Sequence, residues 1–214
     1  MKQIELLTEL ERQVGNLIER GYPKVIGLSR KEFLDHVLSL KRKVAGLKVS
    51  EADLINGRLP VVIVVKSDLV TAEKMMNMVE KDGKKGVTIL RPHTSENFNV
   101  IEGVEIPEGK IYLLVDIDRG KDNINLPPSQ AMEMIKQAGR SPLTIDEGVA
   151  IVTQFPEFLM KNNCFSLLAS RTGSDQRVSA IWINAKKEPN LGWCWDGNPH
   201  TWLGSASAVK RIGI

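Results

Sequence analysis

The densest chemistry in the chain lies between Leu191 and Gly204, which reads LGWCWDGNPHTWLG. The stretch holds Trp193, Trp195 and Trp202, three of the four tryptophans, together with Cys194, His200 and the turn signals Asp196-Gly197 and Asn198-Pro199. Each indole offers a polarisable flat face and one N–H, so a set of them can stack a sugar, a nucleobase or a cation. Trp193 and Trp195 alternate and would share one face of a strand, while Trp202, beyond the two turns, can fold back toward them. Asn198 would orient a ligand at the rim, and His200 is the residue best suited to move a proton near neutral pH. The competing reading is that the indoles seal the core and Asn198 bonds its own turn.

A second candidate closes the run Lys110 to Asp118, KIYLLVDID. Asp116 and Asp118, two apart on a strand, point to the same face. Strand ends border the crevices where α/β proteins bind ligands, so such a pair can act as a catalytic acid or hold a hard cation. Equally, Arg119 or a neighbouring loop can neutralise it as an ordinary ion pair. Joined to the first stretch, the pair gives a small-molecule site. Trp193, Trp195 and Trp202 would stack the ligand, Asn198 would orient it, Arg119 and Arg171 would contact it, and His200 would work with Asp116 or Asp118 as in a hydrolase-like enzyme. Two variants stay open: a metal held by Asp116, Asp118 and His200, and a Cys194 nucleophile assisted by His200. Whether the site turns anything over stays open too. No GxSxG, P-loop, GxGxxG or HExxH is present, and nothing in the sequence names a cofactor or a metal.

The elements that must position these residues are legible from periodicity. Ile4, Leu7, Leu10, Val14, Leu17 and Ile18 recur at helical spacing before Gly21 and Pro23. A second helix follows the capping box Ser29 to Glu32. Leu59 to Val65, apolar on both faces, reads as a central strand, and Thr71 to Asp82 as a helix whose methionines fill core gaps. Thr144 to Glu147 is another capping box, and Asp146 and Glu147 suit the positive end of the helix dipole, which alone accounts for them. Cys164 to Arg171 and Arg177 to Asn184, around the polar turn Thr172 to Gln176, signal a β-hairpin. The expected fold is α/β, with α+β as its alternative: a mixed sheet with covering helices, an amino-terminal helical pair and a carboxy-terminal hairpin. We read residues 1–214 as one domain, helical to about residue 55 and α/β beyond. The polar loop Pro92 to Glu108 is the one internal boundary that composition offers.

Composition narrows the class. The 214 residues suffice for a substantial core, and the longest apolar run, Leu59 to Val65, is far short of a membrane span. The first residues mix Glu and Arg through their apolar positions and lack the apolar region of a secretory signal, so a cytoplasmic location is expected. Cys164 and Cys194 are too few for a disulfide framework and read as reduced thiols. A net charge of +3 without a concentrated basic stripe argues against nucleic acid as the partner.

Five segments carry a resemblance: GYPKVIGLS from Gly21, YLLVDIDRG from Tyr112, GRSPLTIDEGVAIV from Gly139, CFSLLASR from Cys164 and LGWCWDGNPHTWLG from Leu191. In this order and spacing they resemble an uncharacterised bacterial family, of actinobacterial and Bacillus type, known only as a domain of unknown function. The likeness covers nearly the whole chain. It implies a bacterial, intracellular protein and brings no activity, cofactor or catalytic residue. Two rivals to the small-molecule site therefore stand: a non-catalytic interaction module docking a partner through the first helices, and single-stranded nucleic-acid binding by indole stacking beside Arg171 and Arg177. Oligomeric state is not legible.

Overall fold

The computed structural model describes residues 1–44, 46–173 and 175–213. Helix α1 (Gln3–Glu19) buries Leu6, Leu10, Gln13, Val14 and Leu17. The buried stripe is rotated from the expected one, and Ile4 is left 78% exposed. Both stripes have helical spacing, so only the surface that α1 packs against could choose between them. A short helix α2 (Tyr22–Val25) follows, and α3 (Arg30–Lys43) is opened by the predicted capping box. There Glu32 N–H donates to Ser29 Oγ, and Ser29 N–H donates to Glu32 Oε2 at 2.7 Å. The basic last turn, Lys41 to Lys43, complements the negative end of the helix.

Strand β1 (Arg58–Val65) leads through helix α4 (Ala72–Met78), capped by Thr71, to the hairpin of β2 (Glu80–Lys81) and β3 (Lys84–Lys85). Helix α4 is shorter than the sequence promised. Val79 is already extended, and Asp82 and Gly83 both take the positive φ of a tight turn, where an Asp-Gly pair is favoured. Short strands β4 (Val87–Thr88) and β5 (Asn99–Val100) precede the long β6 (Ile111–Asp118). Helix α5 (Pro128–Gln137), strand β7 (Ser141–Pro142) and helix α6 (Ile145–Gln154) come next. The chain ends in β8 (Cys164–Arg171), β9 (Arg177–Ile183), β10 (Pro189–Trp195), β11 (Leu203–Ser205) and β12 (Ser207–Ile212). Ser174, in the predicted hairpin turn, lies outside the described residues.

One sheet has the order β1-β6-β12-β7 and is antiparallel throughout. Strand β1, expected in the centre, is its edge. An apolar edge strand invites unwanted pairing, and here a side chain prevents it. The amide of Gln13 on α1 donates to Val61 C=O at 2.9 Å and accepts from Ile63 N–H at 2.8 Å, as a neighbouring strand would. The second sheet, order β11-β8-β9-β10-β4 with β5 also on β8, is mixed, because β11 runs parallel to β8 and β4 parallel to β10.

The chain crosses between the sheets at Ala206, whose N–H bonds Ser166 C=O while its carbonyl receives Leu143 N–H. Helix α6, buried over nearly its whole length, packs against β1 of one sheet and β8 and β9 of the other. Gly148 permits the approach: a Cβ there would lie 2.5 Å from Leu167 Cδ1. A single hydrophobic core extends from Leu6 to Ala208. The Pro92 to Glu108 loop belongs to this packing, since Phe98 is buried and Asn99–Val100 pair with β8. The result is the expected α/β arrangement of mixed and antiparallel sheets with covering helices. No helix among the described residues is long and apolar enough to cross a membrane.

Candidate functional site

The ladder between β9 and β10 divides the tryptophans. Asn190 faces Trp182, Gly192 faces Ala180 and Cys194 faces Val178; the alternate pairs are Trp193 with Ser179 and Trp195 with Arg177. Opposed residues share a face and successive ones alternate. Trp182, Gly192 and Cys194 therefore lie on one side of the sheet, with Trp193 and Trp195 on the other. Gly192 makes room for Trp182, because a Cβ there would stand 2.1 Å from the ring atom Cη2.

The turns after β10 bring Trp202 and His200 over the Trp182 side. They are anchored by Asp196 N–H to Gln176 C=O, Asn125 N–H to His200 C=O and Cys164 N–H to Trp202 C=O, each at 2.8 or 2.9 Å. Trp182 and Trp202 meet edge to face with centroids 6.4 Å apart, and the His200 ring lies 5.2 Å from Trp202. These rings, with Cys194, Leu203 and Asn198, enclose a pocket of about 310 Å³ that Trp193 and Trp195 also border.

Its polar groups are few. Asn198 is exposed. His200 Nε2 is buried without a hydrogen-bond partner among the described residues, and burial lowers the His200 pKa, so the ring is neutral at pH 7. Burial raises the Cys194 thiol, which sits 3.7 Å from Ser166 Oγ. A thiol pushed upward and bonded to a serine is the reverse of an activated nucleophile.

On the other side of the sheet the indoles are already engaged. Trp193 Nε1–H donates to Arg91 C=O at 2.9 Å. The Arg177 guanidinium lies 4.4 Å from the Trp193 ring centre and 4.8 Å from that of Trp195. Arg177 is held in turn by Asp175 and by His93 at 3.1 Å. The Thr172 hydroxyl, then Arg177 N–H, His93 and the Arg177 charge, draw the Asp175 carboxyl down to about 2. This cluster is a cation–π and ion-pair network that positions β10 and sets Arg177 against both indoles, with Trp195 still 40% exposed.

Each carboxylate of the pair has its own arginine. Asp116 takes a positive φ of 54°, yet the registers of β6 with β1 and with β12 run past it unshifted, and Asp116 and Asp118 are the half-buried residues on either side of buried Ile117. Asp116 pairs with Arg140 at 3.2 Å, and its carbonyl receives Arg140 Nη2. Asp118 pairs with Arg58 at 2.9 Å and accepts Gly120 N–H. Arg119 is buried, donating to the carbonyls of Leu54, Ile55 and Phe158, and Arg171 pairs with Asp196 at 2.8 Å. None of Asp116, Asp118, Arg119 or Arg171 lines the indole pocket. Among the described residues no group of three or more His, Cys, Asp or Glu is placed to hold a metal ion.

The structure thus assembles Trp202, His200, Asn198 and Cys194, with Trp193 and Trp195 beside them, and adds Trp182. The small Gly192 opposite Ala180 was the sequence signal for Trp182, since a large ring two residues along the same face needs a flat neighbour. A family model described as a family of unknown function, DUF5701, matches residues 16–214, and the chain belongs to that family. No curated protein and no solved structure matches it.

Proposed function

We propose that this member of the family binds a small, flat, largely apolar molecule in the pocket between Trp182, Trp202 and His200. The observation that carries the reading is the pocket itself. It is a concavity of about 310 Å³ walled by aromatic rings, with a neutral histidine and one amide as its polar groups, the usual make-up of a small-molecule site. Stacking on Trp182 and Trp202 supplies affinity, and Asn198 supplies orientation. His200 Nε2 is a buried polar atom that a ligand group could satisfy at a net gain. The function is binding without an assigned reaction, because Asp116 and Asp118 are paired elsewhere and Cys194 is held as a thiol. Nucleic-acid stacking draws no support from Trp193 and Trp195, whose faces meet Arg177. A cytoplasmic setting in a bacterial cell is part of the proposal, supported by two buried, unbridged cysteines.

The test is tryptophan fluorescence with thermal melting against nucleosides, aromatic amino acids, sugars and a short oligothymidylate. A saturable quench with a raised melting temperature, lost in Trp202→Ala and weakened in His200→Ala, is the expected result. Response to the oligonucleotide alone, falling steeply with salt, would replace the proposal with nucleic-acid binding. Emission that no compound moves would refute it.

A further inference from the structure

A second cavity, of about 270 Å³, lies where the end of β1, the loop that carries Phe98 and Ile106, and the first turn of α6 meet. One part of its wall is apolar, at Phe98, Ile106, Tyr112 and Ile145; the rest is polar, with serines and Thr144 beside Lys66 and Asp68, and Asp146 opens onto it. The helix dipole accounts for a carboxylate at this end of α6. It does not account for the carboxylate's surroundings. Ser67 is its hydrogen-bond donor, the N–H reaching Oδ2 at 2.9 Å and the side chain also acting on the carboxylate.

The titratable groups around it come from five segments. Glu147, on the same helix, is fully buried and already paired with Arg211 of β12, while Tyr112 of β6 donates its hydroxyl to Glu147. Glu73 of α4 is engaged by Ser95. After β1 come Lys66 and Asp68, which also line the cavity, and Lys66 makes no ion pair among the described residues. The nearby charges that act most on Asp146 are acidic, Glu147 and Asp68.

We propose that this cavity binds a small organic ammonium ion, with its N–H donors on Asp146 and its carbon skeleton against Phe98 and Ile106. A carboxylate in a partly dry space with one apolar wall gains more from a cation than one in water does, and a charge-assisted hydrogen bond fixes the orientation. The apolar wall recognises the hydrocarbon part that a metal ion lacks. Burial lifts the Asp146 carboxyl to about 6, so it is charged at neutral pH. Binding then weakens as acidification protonates it, and a bound ammonium pulls the carboxyl back down.

The experiment is calorimetric titration of the full chain with n-butylammonium chloride at neutral pH and fixed ionic strength, with n-butanol and sodium butyrate as controls. Saturable binding of the ammonium alone is expected. Asp146→Asn should weaken it by about tenfold or more, and Lys66→Gln, which removes a competing cation, should tighten it. Should Asp146→Asn fail to fold, carbon-13 NMR of the Asp146 carboxyl in the unaltered chain decides, since saturating butylammonium must lower its titration midpoint. Equal binding of the alcohol or the acid, an undiminished Asp146→Asn, or an unmoved midpoint would overturn the proposal.

Discussion

Replacing Asp146 by an asparagine should make the protein more stable at neutral pH and leave it little changed in acid. Burial raises this carboxyl from 3.8 to about 6, with Glu147 and Asp68 adding to the rise and the Ser67 hydrogen bonds opposing it. The folded chain therefore holds the proton to a higher pH than the unfolded chain does. Between those values the unfolded state binds fewer protons, so this group's contribution to stability falls as pH rises through the interval. At about 1.4 kcal/mol per pH unit the loss totals at most about 3 kcal/mol, complete above about pH 7 and absent below about pH 4. Water that reaches this half-buried side chain screens part of it. The amide of the variant does not titrate, so the stability difference between variant and parent should grow in favour of the variant by up to that amount across the window. Urea unfolding of both chains in one buffer series measures the difference, and equal m-values would show that the same transition is followed. A difference independent of pH, or one that turns against the variant as pH rises, would refute the assignment of Asp146 as a desolvated carboxylate.

Gly192→Ala would place a methyl 2.1 Å from Trp182. Overpacking of that kind costs about 1–3 kcal/mol, and tryptophan emission should shift to the red as Trp182 is displaced. Gln13→Ala would leave Val61 C=O and Ile63 N–H without their partner. The cost is about 2–5 kcal/mol for two buried backbone groups, and hydrogen exchange at Ile63 should accelerate. Arg211→Met would strand Glu147, which is wholly buried, at about 3–5 kcal/mol. Adding Glu147→Gln to the same chain should recover part of that loss in denaturant unfolding. His200, lowered by burial, should titrate by NMR below an ordinary histidine, with ligand binding flat above neutrality.

What the sequence determined by itself was local. The capping boxes at Ser29 and Thr144, the β8–β9 hairpin and the long β6 follow from spacings of a few residues, and each is where it was expected. Trp193 and Trp195 do share a face, as a period of two requires. The tertiary structure decided what meets those faces. Periodicity names a side of an element but not its cover, and the partners here come from far along the chain. Arg177 closes Trp193 and Trp195 with help from His93, 84 residues away, and Gln13 completes β1 across 50 residues. Arg58 and Arg140 each neutralise one of the two aspartates that spacing had offered as a free pair. Asp146 looked fully explained by its helix end, because a dipole is a local property. Its partly dry surroundings are assembled from the end of β1, the loop around Phe98 and strand β6, and dielectric environment is set by neighbours in space, which no local spacing encodes.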